Sequence, residues 1–344
     1  MKYSRISTAI WLRQEKMFRK DWLQAMKPED FYSTFERNFT SWAEATDDVR
    51  AAFVVGSRAR VDHPADECAD LDIILYANNS DFYLHDTDWL KKLGNIWVTF
   101  AYQTSGGEPE RLTIFEGGFQ VDIVFLTSDS LYRLVKDRSV PYNFRRGVRV
   151  LVDKDNAGRY ILPSDFKPAA SPPIDEDSFV QVVSMFFFGA LYTAKQILRN
   201  ELWVAKAREN DLRTLMLQMM EWHARALNGN DHDVWHAGRF LHEWLDKKAL
   251  QELKSTFSLY ERADSLRGLM ASIALFRRIA VETAEKLQLR YPEDTDHHIT
   301  NWIRENTLTI LPASHNACTT NGTSRCNPCA RASSYRRNGG TPCS

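Results

Sequence analysis

Apolar positions repeat with two different periods along the chain. One part of the chain shows the periods of both strands and helices, and the other part shows the helical period alone. Between about residues 51 and 155, short runs rich in β-branched and aromatic residues predict strands at 51–55, 71–76, 95–102, 112–115, 119–126 and 148–152. Helical spacing predicts helices over 81–93 and 128–136. It also predicts an earlier helix over 29–44, whose aromatic face we expect to pack in the core: Phe31, Phe35, Phe39 and Trp42.

From about residue 175 onward the apolar spacing is helical throughout. It predicts helices at about 175–201, 211–227, 233–256, 259–289 and 294–306. The stretch from Leu162-Pro163 to Pro172-Pro173 is rich in proline, which is typical of a linker. The pattern therefore predicts an α+β region over 1–160, a linker over 161–174, an all-helical domain over 175–310 and a tail over 311–344.

The tail differs from the rest of the chain in composition. From about Ala313 it is rich in Ser, Thr, Asn, Gly and Arg and contains no acidic residue, which is typical of a disordered segment. Cys326 and Cys329 have the C-x-x-C spacing of a zinc knuckle, but no second pair at a suitable spacing follows. We expect a disordered tail without zinc and assign it no function.

Overall composition limits the class of protein. A length of 344 residues with 44% hydrophobic content is enough for one large or two ordinary domains with a sizeable core. The net charge of -1 weighs against general nucleic-acid binding, which requires a basic excess. The sequence predicts neither a secretory signal nor a membrane span, so we expect a soluble, cytoplasmic protein, and a monomer is favoured.

A glycine-containing turn follows the first predicted strand. Gly56 ends the apolar run over 51–55, and Ser57 and Arg58 come directly after it. Glycine lets the backbone N–H groups approach a ligand closely, and a hydroxyl and a guanidinium both suit phosphate oxygens. The turn is therefore a candidate phosphate site.

Three carboxylates accompany this turn. Asp70 and Asp72 flank Leu71 at the start of a predicted strand, so their side chains point to the same face. Asp122 is the only charged residue in the apolar strand over 119–126. Two like charges at ~4 Å repel by roughly 4 kcal/mol even at an effective dielectric of about 20, so convergent carboxylates indicate a divalent cation. Oxygen ligands favour Mg²⁺, and two such ions can assist a phosphoryl-type displacement.

The combination of Gly56-Ser57 with Asp70, Asp72 and Asp122 resembles the nucleotidyltransferase superfamily that includes DNA polymerase β. Within it, the chain is most similar to the aminoglycoside 6-adenylyltransferases, the streptomycin adenylyltransferases of bacteria. The resemblance spans roughly residues 45–305 and includes two further segments, 150–155 and 192–199. It implies a nucleotidyltransferase mixed β-sheet with flanking helices, followed by an all-helical C-terminal domain.

The resemblance also implies an activity: Mg²⁺-dependent transfer of AMP from ATP to a hydroxyl of an aminoglycoside, streptomycin first, with release of pyrophosphate and antibiotic resistance. Asp70, Asp72 and Asp122 would be the catalytic metal ligands, holding two Mg²⁺ ions. The nucleotide would be bound by Gly56, Ser57, Arg58 and Lys195, of which Lys195 matches the lysine of the family's Tyr-x-Ala-Lys segment. Asp122 is the expected general base, with Glu201 as the alternative.

Other groups have simpler interpretations. His232 and His236 are spaced i, i+4, but no Glu follows His232, so we expect solvated or capping histidines. Acidic residues that could attract a polycationic acceptor are also candidates for helix caps or surface charges: Glu108, Glu110, Glu116, Asp175, Glu176, Asp177 and Glu201. Two alternative functions stay open: transfer to another small molecule, a protein or RNA, and a catalytically inactive binding protein on this scaffold.

Overall fold

The structure is a computed structural model, and it describes residues 27–168 and 171–310. The chain divides into two compact units, with the division between residues 170 and 171. The predicted tail over 311–344, with its C-x-x-C spacing, lies outside the described residues, as does the stretch before residue 27.

The first unit contains a six-stranded mixed sheet. Its strands are β1 (Val49–Val55), β2 (Leu71–Ala77), β3 (Ile96–Gln103), β4 (Pro109–Phe115), β5 (Phe119–Thr127) and β6 (Arg149–Asp153). Their order across the sheet is β3-β4-β5-β2-β1-β6. The β2–β5 pair is parallel and the other pairs are antiparallel. Every predicted strand is confirmed, and so is the predicted mixed sheet.

Helices flank the sheet, and two of them define its faces. These helices are α1 (Pro28–Ala45), α2 (Ser80–His85), α3 (Asp88–Lys91), α4 (Ser128–Asp137) and α5 (Gly158–Ile161). Phe35 and Phe39 of α1 pack in one core with the odd-numbered residues of β2 and β5, such as Ile73 and Ile123; we call this side the α1 face. Even-numbered residues such as Ile74 pack with Leu131 of α4; we call that side the α4 face. Because strand side chains alternate, Asp72 and Asp122 belong to the α4 face.

One predicted helix of this unit is interrupted. The pattern over 81–93 predicts a single helix, but α2 ends at His85 and α3 begins at Asp88. Asp86 has an extended backbone, and its side chain accepts a hydrogen bond from the Asp88 N–H at 2.8 Å. The Trp89 indole N–H donates to the Asp86 carbonyl at 2.9 Å. These local hydrogen bonds replace a helical turn, as is common for aspartate.

The second unit is helical, as predicted. Its helices are α6 (Glu176–Leu198), α7 (Leu202–Asn228), α8 (Leu241–Trp244), α9 (Lys247–Leu253), α10 (Arg262–Leu287) and α11 (Glu293–Thr307). The prediction started α7 too late, at 211. The single helix predicted over 233–256 is wrong, because Ala237 and Phe240 have positive φ values of 56° and 53°, which end any right-handed helix.

Contrary to the expectation from sequence, one helix of the described residues is long and apolar enough to cross a membrane: α6. Its side chains Phe179, Val183 and Phe186 are fully buried in the core of the helical unit. Other apolar side chains of α6 are exposed, Phe188 among them, so burial in the bundle covers one face of this helix.

An ion pair with a buried carboxylate joins α10 to α11. Asp296, which is 2% exposed, accepts hydrogen bonds from the Arg277 guanidinium, from the Tyr291 hydroxyl at 2.8 Å and from the Thr300 hydroxyl at 2.9 Å. Burial acts to raise the pKa of the Asp296 carboxyl, but these hydrogen bonds outweigh it and lower the pKa. The ionised carboxylate is therefore the form that the fold requires.

We predict that Asp296→Ala destabilises the helical unit by about 3–5 kcal/mol, because it leaves the Arg277 charge without its partner. Chemical denaturation followed by circular dichroism measures this loss. The matched control is Asp294→Ala, an exposed acid on the same helix, which should cost no more than about 1 kcal/mol through the helix dipole. Equal effects of the two substitutions would contradict the prediction.

Candidate active site

The register of two parallel strands brings the predicted carboxylates together. Asp72 on β2 is the direct partner of Asp122 on β5, and Asp70 lies two residues before Asp72. Neighbouring strands are about 4.8 Å apart, so side chains at paired positions on one face are adjacent. One oxygen from each of the three carboxylates lies within 4.8 Å of the others. The predicted cluster is therefore present in the structure.

Burial and charge act together on Asp122. Burial raises the pKa of the Asp122 carboxyl to about 6, and the negative charges of Asp70 and Glu110 act in the same direction. A hydrogen bond from the Gln120 amide to Asp122 Oδ2, at 2.9 Å, acts to lower that pKa. Asp122 Oδ1 is buried and has no hydrogen-bond partner among the described residues. An acceptor oxygen left in this way fits a bound cation.

The cluster has the donor set of a hard divalent ion. Its ligand atoms are all carboxylate oxygens, and all three side chains are partly buried. Mg²⁺ prefers such oxygen ligands and usually keeps several waters when a protein binds it. Asp70, Asp72 and Asp122 therefore fit a Mg²⁺ site.

The glycine turn lies against the same carboxylates. Gly56 follows Val55, which is the β1 partner of Asp72, and its φ of +69° is a conformation that other residues resist. A Cβ on Gly56 would lie only 2.1 Å from Asp72 Oδ2. The Ser57 hydroxyl is buried and lacks a hydrogen-bond partner within the described part of the chain. The turn thus presents a close backbone and an unused hydroxyl beside the cluster, as a phosphate-binding turn requires.

Arg58 has a different set of contacts from the one predicted. Its guanidinium donates hydrogen bonds to the carbonyls of Ala69, at 2.8 Å, and Asp70, at 3.0 Å. It also stacks on the ring of Tyr32, with 3.5 Å between the guanidinium carbon and the ring centroid. In this structure Arg58 holds the backbone that carries Asp70, and its contact with phosphate stays a prediction.

Two supporting residues were missed by sequence reasoning. The Tyr32 hydroxyl donates to the Gln120 carbonyl at 3.3 Å and accepts from the Gln120 N–H at 3.2 Å, so α1 is tied to β5 beside Asp122. Gln120 could have been found, because it lies two residues before Asp122 and so shares its face of the strand. Nothing local marks Tyr32, which is 88 residues from Gln120 along the chain.

The acidic candidates divide between the site and ordinary structural roles. Glu110 on β4 is partly buried, and its charge acts on Asp122. Asp175 accepts from the Ser178 N–H at 2.8 Å and caps α6. Glu176 accepts from the Arg290 N–H at 3.0 Å. Glu201 is exposed just before α7.

Lys195 and the histidines lie in the helical unit. Lys195 is exposed on α6, and its ammonium lies 5.5 Å from the centroid of the Trp302 ring. His232 and His236 do not share a helical face, because the helix predicted there is absent. His223 is fully buried, with its Nε2 2.7 Å from a Glu282 carboxylate oxygen.

The raised pKa of Asp122 predicts a pH-dependent cost in stability. The folded chain binds a proton at Asp122 more tightly than the unfolded chain, whose carboxyl has a pKa of 3.8. Stability of the metal-free protein should therefore fall as the pH rises from about 4 through about 6. Asp122→Asn should raise the melting temperature at pH 8 in a chelator, and the gain should shrink toward pH 4.

Differential scanning calorimetry measures this effect, and Mg²⁺ should raise the melting temperature of the wild type more than that of Asp122→Asn. Asp137→Asn, at an exposed position on α4, is the control and should leave the melting temperature unchanged. If the Asp122→Asn protein melted at or below the wild-type melting temperature at pH 8 without metal, the ionised Asp122 carboxylate would not be the group that lowers stability.

Similarity to known proteins covers both units. The family model described as streptomycin adenylyltransferase matches residues 32–306. An aminoglycoside 6-adenylyltransferase of Bacillus subtilis is 26% identical over 274 residues, which are 77% of this chain and 93% of that protein. The enzyme of the same name from Staphylococcus aureus is 23% identical over 276 residues, which are 78% of this chain and 95% of that enzyme.

Among solved structures, the match to an aminoglycoside 6-adenyltransferase from Bacillus subtilis covers 78% of this chain and 95% of that structure's chain. The sequence identity is 21% and the TM-score is 0.38. The resemblance predicted from the glycine turn and the aspartates is confirmed by the family match, which includes all of these residues. The chain belongs to the streptomycin adenylyltransferase family and is a nucleotidyltransferase enzyme.

Proposed function

We propose that this enzyme transfers AMP from ATP to a hydroxyl of an aminoglycoside antibiotic, with streptomycin the first choice, and thereby gives resistance. The observation that carries the proposal is the register of β2 and β5, which brings Asp72 and Asp122 together with Asp70 in a member of this family. The names of the curated relatives support an aminoglycoside as the acceptor. ATP as co-substrate is consistent with the predicted cytoplasmic location.

Asp70, Asp72 and Asp122 would hold two Mg²⁺ ions. When bound, such ions neutralise phosphate charge and raise the acidity of a hydroxyl. The observation in support is the unsatisfied Asp122 Oδ1 within a cluster of like charges, since a cation removes the repulsion that the metal-free site contains.

Gly56 and Ser57 would hold the β- and γ-phosphates of ATP through backbone N–H groups and the Ser57 hydroxyl. Lys195, an exposed cation on α6, would neutralise the charge that develops as pyrophosphate leaves. Arg58 would act through the Asp70 backbone, which it already holds, and would add positive charge near the phosphates.

Asp122 would accept the proton of the attacking hydroxyl, whose oxygen bonds to the α-phosphorus of ATP as the bond to pyrophosphate breaks. Glu201 is the alternative base, to be tested by Glu201→Gln.

The direct experiment is an assay of pyrophosphate release with ATP, Mg²⁺ and a panel of aminoglycosides. Streptomycin should react, and mass spectrometry should show the added AMP. Reaction with kanamycin and not streptomycin would reject the proposed acceptor while keeping adenylyl transfer. Absence of ATP consumption with every acceptor, including protein and RNA, would favour an inactive binding protein.

We predict that Asp122→Asn lowers kcat for this reaction by about 10²–10⁴-fold, because the variant loses a charged ligand and the general base. The fold should persist, since the amide has the same size and removes a repulsive charge. Steady-state kinetics with circular dichroism as the folding control measure this. Asp137→Asn should behave as wild type, and near-normal turnover by Asp122→Asn would reject its role.

We predict that Gly56→Ala abolishes most activity for a steric reason. Its methyl group would displace the Asp72 carboxylate, which lies 2.1 Å from the added Cβ. Gly118→Ala is a matched control, because Gly118 also has a positive φ, +81°, but a Cβ there meets nothing within 4 Å. Both substitutions should cost about 1–2 kcal/mol of backbone strain in denaturant titrations, whereas only Gly56→Ala should lose turnover. Equal activities of the two variants would contradict this explanation.

A further inference from the structure

The candidate active site continues across the sheet onto β4 and β3. Asp122 on β5 pairs with Leu112 on β4, and Leu112 pairs with Phe100 on β3. Side chains at directly paired positions lie on the same face, so Phe100 shares the α4 face with Asp122. Two strand spacings amount to about 10 Å. The next row places Tyr102 beside Glu110, and Glu110 beside Val124 of β5.

Within residues 27–168, the β3 side chains on this part of the sheet are exposed. We define the β3–β4 face as Val98, Phe100, Tyr102, Glu110 and Leu112. Phe100 is 48% exposed and Tyr102 is 62% exposed, and their rings form an edge contact with 6.3 Å between centroids. On β1 and β2 the equivalent aromatic residues, Phe53 and Tyr76, are buried under α4 and Phe144.

The β3–β4 face also carries negative charge next to its aromatic rings. Glu110 is partly buried between Tyr102 and Val124, and burial raises the pKa of its carboxyl, with Glu108 acting in the same direction. The paired rows place the two aromatic residues, Glu110 and Asp122 on one face of the sheet, with Leu112 between Phe100 and Asp122. Exposed aromatic rings beside a carboxylate suit a ligand with ring faces and cationic groups.

We propose that the β3–β4 face is the acceptor subsite, where the rings of a cationic, multi-ring sugar rest while its reacting hydroxyl lies at Asp122. Phe100 and Tyr102 stack against the rings, and Glu110 pairs with an ammonium or guanidinium group. The inference rests on the proposed function, because it requires an aminoglycoside to bind beside Asp122. The inference adds the part of the site that would bind a cationic, multi-ring sugar more tightly than a neutral alcohol.

The test compares Phe100→Ala and Tyr102→Ala with wild type in steady-state pyrophosphate release and in calorimetric binding of streptomycin. Each substitution should raise the KM and the Kd for streptomycin by about tenfold, the usual effect of one lost aromatic or cation–π contact, without changing the KM for ATP. Glu110→Gln should weaken binding and reduce its dependence on salt. Phe82→Ala is the matched control, because Phe82 is also 48% exposed but lies on a different side of the sheet. Phe82 belongs to α2, and the Leu84 carbonyl of α2 accepts a hydrogen bond from Arg111, whose side chain is on the α1 face.

The outcomes separate the subsite from the function. If the wild type adenylylates streptomycin and the aromatic variants match the Phe82→Ala protein, the subsite is wrong and the function stands. If the wild type binds streptomycin without releasing pyrophosphate, the function fails, and a tenfold rise in Kd in the aromatic variants still supports the subsite. If the wild type neither binds nor modifies any aminoglycoside, both are overturned.

Discussion

The parallel pairing of β2 with β5 is the constraint on which the candidate site depends. It makes Asp72 and Asp122 direct neighbours, and Asp70 joins them because it precedes Asp72 by two residues. The strands around these carboxylates are almost entirely apolar, so their charges are only partly solvated and repel one another. Burial accordingly raises the pKa of Asp122 to about 6. The fold thus concentrates negative charge that a bound cation would neutralise.

The surrounding contacts hold this unfavourable arrangement in place. Arg58 binds the backbone of Asp70 and stacks on Tyr32, and Tyr32 is hydrogen-bonded to Gln120, whose amide contacts Asp122. The carboxylates on both strands are therefore linked through α1. Contacts that hold side chains in place before a ligand arrives reduce the entropy lost on binding, and enzymes of phosphoryl transfer achieve much of their rate in this way.

Sequence reasoning succeeded where the deciding interactions are local. All strands of the sheet were predicted, because apolar and β-branched runs between turn residues indicate a buried strand without reference to the rest of the chain. It failed where short-range hydrogen bonds or backbone conformation compete with helical periodicity. Asp86 interrupts one predicted helix through its side chain, and Ala237 and Phe240 interrupt another through positive φ values. Such interruptions barely alter the spacing of apolar residues, so an analysis of that spacing does not detect them.

The sequence by itself determined the residue types at the site, the strand face of Asp70 and Asp72, the helical character of the second unit and the family to which the chain belongs. Only the tertiary structure decided that β2 lies parallel to β5 and that Tyr32 and Gln120 support the carboxylates. It also decided that Phe100 and Tyr102 lie on the same face of the sheet as these carboxylates. The physical reason is distance along the chain. Periodicity reflects which side of an element is buried, whereas the choice of strand neighbours depends on how all elements pack together.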